Sequence, residues 1–196
     1  ARAVLDGSGF TAATSQDIWP DHPGKALGAT AAFADAHPQA CRSLGAALLE
    51  AARWIDASSL HRDATAEVLA SPAYVNAGRA AIAARLQGLY EDGLGRRWQD
   101  PDPLRFHAGG EANFPWLSDG MWFMTQHRRW GLMKTDPDYL AVARAVNRID
   151  IFKDASAAAK TSVAKDPMRV SKLIDGTVWD GKDPKRYAGS FKMKVA

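Results

Sequence analysis

Apolar residues recur along this chain mainly at helical spacing. The clearest run lies between Pro38 and Asp56, where Cys41, Leu44, Leu48, Ala51 and Ile55 repeat every three or four positions. That spacing predicts an amphipathic helix, and Pro38 suits its first turn because its missing N–H has no partner there anyway. Leu60 to Leu69 and Tyr74 to Tyr90 read as two further helices, the second with Ile82, Leu86 and Leu89 on one face. Ser118 is placed as the N-cap of a helix over 119–130, in which Trp122, Gln126 and Arg129 share a face. Asp136-Pro137 opens another helix through Val146, and 150–160 forms one more.

Before Pro38 the pattern is shorter. Ala1 to Asp6 reads as the end of a helix stopped by Gly7 and Gly9. Phe10 to Thr14 and Ala26 to Ala31 read as short strands, the latter leading into a helical turn around Phe33. Between them Pro20, Pro23 and Gly24 make a constrained turn that ends at Lys25, so the lysine is expected at the mouth of the second strand. From Gly93 to Gly110, repeated Gly and Pro break any regular element, leaving a loop of about twenty residues that carries Trp98, Arg105, Phe106 and His107. After Thr161 the chain turns at Asp166-Pro167, Asp175-Gly176, Asp180-Gly181 and Asp183-Pro184. Ile174, Trp179, Tyr187 and Phe191 are expected to fix this tail, while Trp54, Trp122 and Trp130 are expected in the core.

Composition narrows the class. The 196 residues, 46% of them hydrophobic, are enough for one sizeable core or two small ones. The net charge of +3 comes without any long basic block, so nothing points to nucleic acid. A single cysteine, Cys41, excludes an internal disulfide, and no run approaches the length of a membrane-spanning helix. The chain opens at Ala1 with no initiating Met or leader pattern, as expected of a mature protein or a piece of a longer one. Its five histidines, His22, His37, His61, His107 and His127, include no i, i+4 pair, which argues against a metal site. Gly7-Ser8-Gly9 is too short for a nucleophile elbow and lacks the third glycine of a nucleotide loop.

Three segments carry a resemblance. The first runs from Gly9-Phe10-Thr11 through Asp17-Ile18-Trp19 and His22-Pro23-Gly24-Lys25-Ala26-Leu27-Gly28 to Phe33-Ala34 and His37-Pro38. The second is Asn113-Phe114-Pro115, Asp119 to Thr125 and Arg129-Trp130-Gly131; the third is Asn147 to Phe152 with the tail from Ile174-Asp175-Gly176 to Tyr187. In these the chain resembles the C-terminal part of the nitrate-binding family of bacterial ABC-transporter solute receptors.

The resemblance implies an α/β architecture, mostly helical as present: a partial type II periplasmic-binding-protein fold lacking its N-terminal half. Residues 1–25 would end the second lobe and make the return crossover, 26–160 the helical part of the first lobe, and 161–196 an extended tail wrapping it. It further implies a binding protein rather than an enzyme, with no cofactor. Nitrate or nitrite would sit in a cleft between lobes, and ABC permease subunits or a nitrate-responsive regulatory protein would be the partner. Surfaces left bare would favour a homodimer. The setting would be the bacterial periplasm for a transport receptor and the cytoplasm for a sensor.

Lys25 is the one position matching the family's ligand-binding lysine, and His22 is assigned a supporting role behind it. Relatives that handle bicarbonate are expected to carry an acidic residue in place of the lysine. Gly24 stands where relatives often have a larger residue. The remaining anion donors would lie outside this chain. Two other readings stay open: an enzyme on the same bilobed fold, such as a pyrimidine-precursor synthase, and a stand-alone helical interaction module.

Overall fold

A computed structural model of the chain describes residues 2–191. Ten helices and two small hairpins are formed among them. The short helices α1 (Arg2–Leu5), α2 (Ser15–Ile18) and α3 (Ala31–Ala36) precede the long α4 (Pro38–Asp56). Then come α5 (Ser59–Ala70), α6 (Arg79–Leu86) and an antiparallel hairpin of β1 (Leu89–Glu91) and β2 (Arg97–Gln99). A kinked 3-10 segment, Ala108–Asn113, leads into α7 (Leu117–Arg129), α8 (Tyr139–Val146) and α9 (Ile149–Ala159). The tail holds β3 (Ser171–Lys172) paired with β4 (Val178–Trp179), and α10 (Pro184–Gly189).

Local chemistry sets most of these boundaries. Thr14 and Asp17 form a reciprocal capping box on α2, which lets a single turn of helix persist. Thr30, Ser58, Asp138 and Asp183 cap α3, α5, α8 and α10 by accepting the Phe33, His61, Ala141 and Arg186 N–H groups. Pro38 occupies the first-turn position that the sequence leads one to expect, and Pro184 opens α10 where the sequence reads only as a bend.

Two apolar clusters hold the elements together. In one, Leu117 and Met121 of α7 meet Tyr139 and Ala143 of α8, with Trp179 and Tyr187 of the tail closing over them. Trp179 is 1% exposed and donates its indole N–H to the Ser118 carbonyl at 2.8 Å. The other cluster joins Ala46 and Leu49 of α4 to Ala155 and Ala159 of α9. There a Cβ added at Gly45 would stand 2.8 Å from Ala155 Cβ, so small residues set how closely the two helices approach.

Several expectations are corrected. No strand forms at 10–14 or 26–31. Thr11 N–H reaches the Asp92 carbonyl at 2.9 Å, but neither stretch has a neighbour with which to build a ladder. The helix expected from Tyr74 to Tyr90 is confined to Arg79–Leu86, because the chain takes left-handed turns at Asn76 and Gly88. The long loop beyond it contains the β1–β2 hairpin, where the Asp92 carboxylate accepts the Leu94 and Arg96 N–H groups. Ser118 lies inside α7 and accepts the Arg169 N–H instead of capping the helix. Asp138, not Asp136, caps α8, while Asp136 accepts the Tyr139 hydroxyl.

The most informative correction concerns α4. Its buried side is Ala46, Leu49 and Ala52, whereas Leu44 and Leu48 of the expected stripe are 51% and 46% exposed. The stripe is real in the sequence, yet nothing among the described residues covers it. Trp54, Trp130 and Ile174 are likewise exposed, so those expected anchors do not hold, whereas Trp179, Tyr187 and Phe191 do pack.

Candidate functional site

The Lys25 turn begins at a fixed base. Trp19 ends α2, is buried, and packs its ring against Trp122 of α7 with centroids 4.5 Å apart. The Trp19 carbonyl then accepts the His22 N–H at 3.2 Å. Between these two residues Asp21 adopts the left-handed region at φ 55°, which a residue with a Cβ enters only when its surroundings hold it there.

Every polar group of Asp21 is held. Its N–H donates to Gln16 Oε1 at 3.0 Å, and its carboxylate accepts from Arg105 Nη2 at 3.0 Å. Its carbonyl accepts from Arg169 Nη2 at 2.9 Å. Arg169 is in turn clamped by Asp119, through Nε at 2.9 Å and Nη2 at 2.7 Å, in a pair largely withdrawn from solvent. Burial pushes the Asp119 carboxyl above the ordinary 3.8, and the hydrogen bonds and charge of Arg169 only partly offset it.

Lys25 follows on an exposed stretch. It forms no ion pair among the described residues, and 23–29 makes no backbone hydrogen bond until Thr30 caps α3. The lysine is therefore not held beside a buried strand as the sequence pattern suggests. His22 is exposed too, and its imidazole Nε2 lies 3.8 Å from where a Gly24 Cβ would stand, placing the ring against the turn. Two clefts of about 220 and 130 Å³ lie between α1, α2 and the β1–β2 hairpin; neither is lined by Lys25. No cluster of three metal-ligating side chains occurs among the described residues.

A second network supports the loop that carries Arg105. The Asp56 carboxylate, at the end of α4, accepts the N–H groups of Phe106, His107 and Ala108 and pairs with Arg62 at 2.6 Å. Arg62 also donates to the Leu86 and Leu104 carbonyls, closing the loop against α5 and α6. The sequence gives little warning of either network, because each joins residues about fifty positions apart.

Residues 1–70 match the NMT1-like family. Across 100% of this chain, the nitrate/nitrite binding protein NrtA of Synechococcus elongatus is 33% identical, and 44% of NrtA is covered. NrtA of Synechocystis is 29% identical over 98% of the chain, again covering 44% of the relative. The bicarbonate-binding protein CmpA of Synechococcus elongatus is 27% identical over the whole chain. In three dimensions, the crystal structure of the periplasmic nitrate-binding protein NrtA from Synechocystis matches 98% of the chain and 51% of its own, with a TM-score of 0.91 at 27% identity. The chain is similar along its whole length to bacterial nitrate-binding proteins. It spans about half the length of these relatives, and its fold is part of theirs, a partial α/β periplasmic-binding-protein fold. The proteins it matches are named for binding or transport rather than for catalysis.

Proposed function

We propose that this chain forms part of a receptor for a small inorganic anion, nitrate or nitrite, and that Lys25 presents the cation to that anion in a cleft between two lobes. The likeness to nitrate-binding proteins along the whole chain carries the reading. The position of Lys25 supports it: an exposed ammonium follows a firmly held turn, and among the described residues it forms no ion pair. His22, packed against Gly24, backs the turn. A lysine rather than an acidic residue at this place favours nitrate over bicarbonate, although CmpA is also similar to the chain.

In this reading, 1–25 complete one lobe and return to the other, 26–160 form the helical part of that other lobe, and 161–196 wrap it. Lobe closure around the ligand is the signal. It is received by permease subunits if the protein serves transport in the periplasm, or by a regulatory protein if it serves sensing in the cytoplasm. The uncovered stripe of α4 gives a second copy of the chain a surface on which to pair.

The test is charge reversal in a two-lobed protein containing this chain. Lys25→Glu is expected to abolish nitrate binding measured by calorimetry, since it places a like charge against the anion. Unchanged affinity would remove Lys25 from the site.

A further inference from the structure

The turn that presents Lys25 is held by its neighbours only as far as His22. Between Asp21 and Thr30, His22 is tied back to Trp19, but the residues after it make no backbone hydrogen bond. The direction in which Lys25 leaves the protein is thus set where the chain is last fixed, at Asp21 and the adjoining His22 N–H. Only His22, Pro23 and Gly24 intervene, and Pro23 removes one of their few free dihedrals. A change in the Asp21 backbone is passed on to the lysine.

Asp21 is in turn fixed from the C-terminal tail. Arg169 is oriented on one side by Asp119, and its own N–H is held by Ser118 Oγ at 3.0 Å. What remains of its Nη2 donates to the Asp21 carbonyl. The tail makes a second tie nearby, from Ile174 N–H to the Ile18 carbonyl at 2.9 Å. Arg105 and Gln16 act on the other two polar groups of Asp21; Arg105 is exposed, where an ion pair contributes little, and the half-buried Gln16 offers a single neutral acceptor. Arg169, with a buried acidic partner, is the strong member of the set.

We propose that Arg169 is a positioning residue for Lys25: by holding the carbonyl of left-handed Asp21 it fixes the turn from which the lysine reaches an anion. The inference rests on the assignment of Lys25 to the anion site. Arginine suits the task by reach as well as charge. A lysine at 169 would end at about the place of the guanidinium carbon, close enough to balance Asp119 but one bond short of the Asp21 carbonyl.

Arg169→Lys is therefore the informative variant, since it keeps a cation opposite the buried carboxylate. Amide hydrogen exchange and nitrogen relaxation of the 196-residue chain read the result. The Asp21 and His22 amides, which donate to Gln16 and the Trp19 carbonyl, are expected to exchange about tenfold faster relative to amides of α7, as loss of a charge-assisted hydrogen bond implies. The Gly24 and Lys25 amides become more mobile on the nanosecond scale. Asp119→Asn, which loosens Arg169 while keeping a side chain of the same size, moves the same quantities in the same direction by a smaller factor. It decides the matter if Arg169→Lys fails to fold.

An exchange ratio and Lys25 mobility unchanged from the parent would overturn the proposal. Titration of the same samples with sodium nitrate judges the anion reading separately. If Lys25→Ala leaves the nitrate response intact, that reading fails, whereas the exchange ratio still decides whether Arg169 sets the turn.

Discussion

A single exposed lysine sets a ceiling on how well this chain alone can hold nitrate. At about 4 Å, unit charges attract by about 1 kcal/mol in water and by about 4 kcal/mol at an effective dielectric near 20. The first value corresponds to a dissociation constant of about 0.2 M and the second to about 1 mM, before desolvation is subtracted. Lys25 is exposed and lines neither of the two clefts described above, so the first value applies to the isolated chain. Micromolar binding needs about 8 kcal/mol. The difference calls for several further charge-assisted hydrogen bonds at about 1.5–3 kcal/mol each, together with exclusion of water. The assay is a nitrate titration of the 196-residue chain followed at the Lys25 amide by NMR, at constant ionic strength against sodium chloride. A weak response is expected, with a midpoint above about 1 mM and no measurable heat at micromolar concentrations. Micromolar affinity in calorimetry would refute the reasoning, because the chain would then contain the rest of the site.

Other expectations follow from packing and ionisation. Gly45→Ala improves helix propensity by about 0.8–1.0 kcal/mol but sets a methyl 2.8 Å from Ala155 Cβ, where overpacking costs about 1–3 kcal/mol. The thermal midpoint is expected to fall by about 2–4 °C and to recover when Ala155→Gly is added; a rise would contradict the helix contact. The Asp119 carboxyl should titrate above 3.8 by carbon NMR, since burial favours its neutral form. Its contribution to stability is then full below the unfolded value and is lost as pH rises through the folded one. Urea unfolding should accordingly show the parent losing ground to Asp119→Asn as pH is raised, and a carboxyl midpoint below 3.8 would reverse that expectation. Leu48→Gln, on the uncovered face of α4, should lower any self-association seen by light scattering while leaving the melting midpoint close to the parent's.

Sequence pattern reached the helices and stopped at what they face. The caps at Thr30, Ser58 and Asp183 are local, a few residues of the right type in a row, and helix placement is correspondingly easy. The stripe of Leu44 and Leu48 was equally easy to see, but periodicity reports that a face is apolar and not which neighbour covers it. Gly45 and Ala46 mark the α9 contact by smallness, a signal that hydrophobic counting passes over. Apolar runs at 10–14 and 26–31 looked like strands because strand formation depends on a partner that no single segment contains. For the site, a turn near Pro20 was legible, although it closes at His22 and does not extend over Pro23 and Gly24. The hold on Asp21 was not, since Gln16, Arg105 and Arg169 come from three separate regions and meet only in the folded chain.

The separation between Arg169 and Asp21, 148 positions, bears on how the protein is made. During synthesis, Trp19 and the His-Pro turn leave the ribosome long before Arg169 and Ile174 exist to fasten them. The capping box on α2 can form at once, being local, whereas the turn after it must wait for a segment 148 positions further on. A nascent chain arrested before the tail would carry Lys25 without a defined direction. The turn and the tail segment around Arg169 thus become one folding unit, so the direction of the lysine is fixed only once that distant segment has docked.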